Sequence, residues 1–106
     1  MKRDMKQWLS QMLEAPVKKA MPVLSFPAVQ LMDVSVRELI SSSELQARGM
    51  EMVAQRTDAA ASVSLMDLSL EAECFGAQIR FFDDEVPTVV GSLITSLEEA
   101  EAMPVP

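Results

Sequence analysis

The sequence predicts an α/β fold, on three observations. Two apolar segments of strand character, Pro22-Val23-Leu24-Ser25-Phe26 and Ala59 to Met66, stand roughly 30 residues apart with helical pattern between them. That is the spacing of a βαβ unit, whose crossover is right-handed as a rule. Two further strand-like runs, Gln78 to Phe82 and Thr88 to Ile94, flank the acidic loop Asp83-Asp84-Glu85-Val86-Pro87. The composition, 49% hydrophobic and 24% charged with three Gly in 106 residues, belongs to a chain able to bury a core. The length suits one domain rather than two.

Each element has a local cause. Met5, Trp8, Leu9, Met12 and Leu13 recur at helical spacing, with Lys6, Gln7, Ser10, Gln11 and Glu14 opposite them. This predicts an amphipathic helix within residues 1–19, packed on its own domain and stopping near Ala15, because Pro16 disfavours helical backbone before it. Residues 20–106 then read as one unit. Pro22 opens and Pro27 closes a first strand, and a helical turn over Ala28 to Met32 follows. Ser35 with Glu38 three residues on has the spacing of a capping box ahead of Val36 to Ile40.

Among Ser41, Ser42 and Ser43 one residue is expected to cap the next helix, which presents Leu45, Gly49, Met52 and Val53 on one face. Gly49 weakens that helix, which implies a close neighbour. The segment Ala59 to Met66 is small and apolar on both sides, as in a strand buried under helices. A helix from Ser69 to Phe75 closes on Gly76. After the hairpin, Leu97 to Met103 forms a short acidic helix, and the apolar Met103-Pro104-Val105-Pro106 reads as a link to further chain.

Several function classes are excluded or disfavoured. The formal charge of −7 repels phosphate, so nucleic acid is not an expected partner. One cysteine, Cys74, forms no internal disulfide. No run is long and apolar enough to span a bilayer, and the N-terminus lacks the unbroken apolar core of a signal peptide, so neither a membrane nor export is expected and the cytoplasm is the predicted location. There is no His and no Tyr. Histidine-based acid–base catalysis, Ser–His or Cys–His nucleophiles and a His/Cys zinc site are therefore all outside the reach of these residues.

Asp67, directly after the second apolar segment, is the leading candidate site residue. Its position admits two roles: a pocket carboxylate at the carboxyl end of a strand or a helix N-cap. Asp67 and Glu71, at i and i+4, would share a face if both were helical, and such a pair could share a proton or bind a hard cation. Asp83, Asp84 and Glu85 lack the alternation and central Gly of a calcium loop and read as a solvated hairpin tip. Cys74 has no basic neighbour and is expected to be buried and inert. Met5, Met12, Met50, Met52 and Met66 fall on faces expected to be buried.

The run Met66-Asp67-Leu68-Ser69-Leu70-Glu71-Ala72-Glu73-Cys74-Phe75-Gly76 resembles the uroporphyrinogen decarboxylase superfamily, which includes the methylcobamide:coenzyme M methyltransferases. In the decarboxylases an Asp follows the second barrel strand, and the next helix closes on a Gly nine residues later, the spacing of Asp67 and Gly76 here. The resemblance extends back through Pro22 to Pro27 and the helix at Glu44 to Arg56. It runs forward through Ile79-Arg80-Phe81, Glu85-Val86-Pro87-Thr88 and Ser96-Leu97-Glu98-Glu99-Ala100.

The resemblance implies the first third of a (β/α)8 TIM barrel. Asp67 matches the carboxylate that binds porphyrinogen pyrrole nitrogens in the decarboxylases. Their Arg-rich loop after the first strand is not matched, since Ala28-Val29-Gln30-Leu31-Met32 stands there. That departure points to the corrinoid methyltransferase branch, in which a zinc held by His and Cys activates a thiol that takes the methyl group from cobalt. The zinc and the corrinoid (a methylcobamide) are implied for the full-length relative. Their ligands belong to the later barrel half, and Cys74 does not match them.

The chain alone is therefore expected to be inactive, with a corrinoid protein or the missing C-terminal part of the barrel as partner. Its uncovered edges predict a homo-oligomer. The alternatives are a piece of a decarboxylase-like enzyme and a non-catalytic self-associating module.

Overall fold

The computed structural model describes residues 2–106, in which six helices and one two-stranded antiparallel sheet are arranged as a mixed α/β chain. Helix α1 (Met5–Glu14) starts where Asp4 Oδ1 accepts the N–H groups of Lys6 at 2.9 Å and Gln7 at 3.1 Å. It stops at Ala15, whose ψ of 130° is the extended backbone required before Pro16. The expectation that its apolar stripe packs on the domain is not met. Met5 and Leu13 are 60% and 69% exposed. Only Trp8 and Met12 are partly covered, beside Lys19 and Ala60. Spacing fixes a face of the helix but does not supply a surface to cover it.

The core lies where α2 (Ala28–Met32), α3 (Val36–Ser41) and α4 (Ser43–Arg56) meet, with Ala28, Val36, Leu39, Gly49 and Val53 buried. The capping box of α3 forms as predicted. Ser35 Oγ accepts the Glu38 N–H at 3.1 Å, and Glu38 Oε2 accepts the Ser35 N–H at 2.8 Å. Ser42 is the residue of the serine run that caps α4, accepting the Leu45 N–H at 3.2 Å. At Gly49 an added Cβ would lie 2.7 Å from Ala28 Cβ and 3.2 Å from Met32 Cε, so the helix crossing needs a residue without a side chain there.

The Ser35 hydrogen bonds hold the Glu38 carboxyl below its usual range. A lowered folded-state pKa stabilises the fold above the unfolded carboxylate value of about 4.3, and that contribution is lost as pH falls through the lowered value. Urea unfolding from pH 6 to pH 3 is expected to show natural chain and Glu38→Gln converging at the acid end. A gap that stays constant with pH would mean that the carboxylate charge plays no part. Ser35→Ala, which removes the cap itself, is expected to cost about 1 kcal/mol.

The two segments predicted as the strands of a βαβ unit are not strands. Residues 20–25 and 62–66 have no regular structure, Phe26 opens a turn and Ala60 and Ala61 are bends; one backbone hydrogen bond joins the two segments, from the Ala60 N–H to the Ala20 carbonyl at 2.8 Å. They lie side by side: Pro22 and Leu24 line one small cavity together with Ala61 and Val63. Pro22 has no N–H to give to a ladder, and the bends at Ala60 and Ala61 break the second segment where pairing would start. Burial on both faces of the second segment is also not met. Ala61, Val63 and Leu65 are partly covered, whereas Ser62, Ser64 and Met66 are exposed.

Helix α5 (Leu70–Cys74) ends as predicted on Gly76, at φ +97°. The Gly76 N–H donates to the Glu73 carbonyl and the Ala77 N–H to the Ala72 carbonyl, both at 2.9 Å, the paired closure of a Schellman motif. Strands β1 (Gln78–Arg80) and β2 (Thr88–Val90) pair with Ile79 opposite Val89. They are shorter than predicted because the chain between them turns away to dock on α3. The Asp83 carbonyl accepts the Val36 N–H at 2.7 Å, and Arg37 Nη2 donates to the Phe81 carbonyl at 2.9 Å. Arg37 Nε also lies 3.5 Å from Asp83 Oδ1. The acidic loop is thus solvated in its side chains but tethered through its backbone, where it satisfies a free donor of the α3 N-terminus.

Helix α6 (Leu97–Ala102) is capped by Ser96, which accepts the Glu99 N–H at 3.2 Å. The Thr95 N–H and hydroxyl hold the Glu99 carboxyl below its usual range.

The assembled chain is open. Its radius of gyration is 18.3 Å, against about 13 Å for a compact domain of this length. Its accessible surface is 8318 Å² for 11.7 kDa, against about 5,900 Å² for a compact monomer of that mass. No helix among the described residues is long and apolar enough to cross a membrane.

Candidate functional site

Asp67 lies at the end of the second extended segment, where alternation puts it on the same side as Val63 and Leu65, partly covered, just before the buried Ser69. Its Oδ1 accepts the Ser69 N–H at 2.9 Å and the Ser69 hydroxyl at 2.7 Å. Its carbonyl accepts the Leu70 N–H at 3.4 Å. These bonds make an Asx turn, in which a short carboxylate imitates a backbone acceptor and bends the chain into α5. The N-cap position itself belongs to Ser69, whose hydroxyl makes no cap bond. Asp67 therefore holds the turn ahead of the helix, two residues upstream of the N-cap.

Both side-chain bonds use Oδ1, so the lone pairs of Oδ2 remain for another donor. Asp67→Ala removes both acceptor interactions and is expected to cost about 1 kcal/mol and to fray α5. Asp67→Asn keeps an acceptor and is expected to cost less. Chemical denaturation of both variants checks this, and equal costs would show that the ionic charge, rather than the turn, matters.

Asp67 and Glu71 do not share a helical face, because α5 begins only at Leu70. Among the described residues no group of three or more His, Cys, Asp or Glu side chains gathers as a metal site. A His/Cys zinc ligand set cannot be drawn from no His and one Cys. Cys74, expected to be buried, is exposed, because α5 is too short to turn that face onto a neighbour. Of the five methionines expected to be buried, Met5 and Met66 are exposed, and Met12, Met50 and Met52 are half-buried.

The small cavity between the extended segments and α4 is lined by Pro22, Leu24, Met50, Val53 and Val63 among others and holds about 20 Å³. That is room for about one water, and far too little for a macrocycle or a corrinoid. A residue that sequence reasoning passed over lies at the end of the first extended segment. Ser25 is buried with its hydroxyl unpartnered, while its carbonyl accepts the Ala28 N–H at 3.2 Å to start α2. Its place directly before Phe26-Pro27, at a strand-like carboxyl end, was the available signal. The two segments thus end near polar side chains, Ser25 on the first and Asp67 with Ser69 on the second.

Comparison with protein-family models, with curated proteins and with solved structures finds no match for the chain.

Proposed function

We propose that these residues are the opening segment of a (β/α)8 barrel of the uroporphyrinogen decarboxylase type, from the branch that transfers a methyl group from a methylcobamide to a thiol, and that they are inactive alone. The reading is carried by the side-by-side placement of residues 20–26 and 59–66 along one small cavity, joined through three helices, with Ser25 and Asp67 near their carboxyl ends. In α/β barrels ligands meet the carboxyl ends of parallel strands. The open surface supports the same reading, because a first pair of barrel strands is flattened and covered only by its neighbours.

In this reading Asp67 offers Oδ2 to a ligand at the barrel mouth, with Ser69 fixing the carboxylate through Oδ1. The zinc and the corrinoid would be held by residues outside this segment, and a corrinoid protein would be the partner of the whole barrel. The absence of Arg from Ala28 to Met32 favours the methyltransferase branch over a porphyrinogen decarboxylase, whose substrate carboxylates need cations there.

Co-expression with a tagged corrinoid methyltransferase lacking its own first two βα units tests the proposal. A one-to-one complex with zinc-dependent methyl transfer is the expected result, weakened by Asp67→Asn without loss of the complex. Failure to associate, together with cooperative unfolding of the chain alone as a monomer, would sink it.

A further inference from the structure

The charge of the chain is divided sharply along its length. Residues 1–19 carry five cations against two acids, whereas residues 20–106 carry four cations against fourteen acids. The basic part also carries a row of uncovered apolar side chains. Met5, Leu9 and Leu13 on α1 are exposed, and Val17 and Met21 extend the same uncovered run. Lys2, Arg3 and Lys6 precede this surface or lie within its first turn, and Lys18 follows it.

A surface of opposite character lies around α5. Met66, Leu68 and Leu70 alternate along the outward side of the chain, with Leu68 81% exposed, and Phe75 is also uncovered. No cation occurs between Arg56 and Arg80, while Glu71 and Glu73 are exposed beside this apolar row. One surface is thus apolar with a basic border, and the other is apolar with an acidic border.

We propose that α1 of one copy docks on the Met66–Phe75 surface of a second copy, in a reciprocal dimer held by apolar contact and oriented by charge. The surface of the whole chain exceeds that of a compact monomer by about 2,400 Å², and interfaces of stable homodimers bury about 2,000 Å² or more in total, so the chain has uncovered surface to give to an interface. The charge pattern also gives a direction, since α1 against α1 sets cations together and α5 against α5 sets carboxylates together. The inference does not rest on the barrel reading, because it uses only the uncovered surfaces and their charges.

Sedimentation of the 106-residue chain across concentration is the test, with Trp8, the single tryptophan, as an optical reporter on α1. A dimer is expected, with Trp8 emission shifting to the blue as it forms. Its dissociation constant should rise at least about tenfold in the triple variant Lys2→Glu, Arg3→Glu, Lys6→Glu, and likewise in Glu71→Lys, Glu73→Lys. Combining all five changes in one chain should restore the dimer, which a simple folding defect would not do; circular dichroism of each variant checks that helix content is kept. A chain monomeric at every concentration, a dimer indifferent to both sets, or singly reversed variants not rescued by combination would overturn the proposal. So would a monomer whose α1 instead binds phosphatidylserine-containing vesicles, which would assign that face to an anionic lipid surface.

Discussion

Leu39→Ala is expected to cost about 2–4 kcal/mol, which removes about half or more of the stability of the helical core. Leu39 is 1% exposed and, among the described residues, is the one large side chain that is fully enclosed. It sits where α3 meets α4, with its Cδ1 3.7 Å from the position of a Cβ built on Gly49. Among the described residues Ala28, Val36 and Val53 are the other buried hydrophobic side chains. A chain of this length has a total stability on the order of 5–15 kcal/mol when its core is complete, and an open chain with four buried hydrophobic residues belongs at the bottom of that range. Urea unfolding followed by helix content provides the measurement. A midpoint close to that of the natural chain would mean that the α2–α3–α4 centre does not hold the fold.

Gly49→Val is expected to be at least as damaging, for the opposite reason. Leu39→Ala leaves a hole, whereas Gly49→Val fills space that is already occupied. A Cβ at 2.7 Å from Ala28 Cβ cannot be accommodated without moving α2, and the two γ carbons of Val add further overlap. Gly49→Ala is the diagnostic form. On helix propensity alone Ala would stabilise α4 by up to about 1 kcal/mol. The clash with Ala28 is expected to reverse that sign and leave a net loss of about 1–2 kcal/mol. Ala28→Gly should then rescue Gly49→Ala, because removing one Cβ makes room for the other. Gly49→Ala that is more stable than the natural chain would show that α2 and α4 do not cross as closely as described.

These two variants probe a centre whose local pieces were legible in the residues. The Ser35–Glu38 capping box, the cap within Ser41 to Ser43, the turn over Ala28 to Met32, the hairpin and the stop at Gly76 all depend on atoms within a few positions of each other. Gly49 announced its close neighbour because a glycine inside an amphipathic helix weakens it and is compensated only by a packing gain. For Asp67 the sequence indicated its place at the end of an extended segment. It left the choice between cap and pocket open, and the Asx turn to Ser69 resolves only the structural half of that question.

What the residues did not reveal is uniformly non-local. Cys74, Met66 and, on the α1 stripe, Met5, Leu9 and Leu13 were assigned to buried faces by period and polarity, yet each is exposed. Burial needs an opposing surface, and no pattern within a helix says whether one arrives. The two apolar segments have strand composition but no ladder, because strand pairing needs a partner strand in register, which composition within a segment does not supply. The tether of the acidic loop to the α3 N-terminus joins residues more than forty positions apart, and so it too was invisible in the sequence. Order along the chain, caps and turns were thus determined by short-range chemistry. Which apolar faces are covered was decided only in three dimensions, since covering them depends on partners far away in the chain.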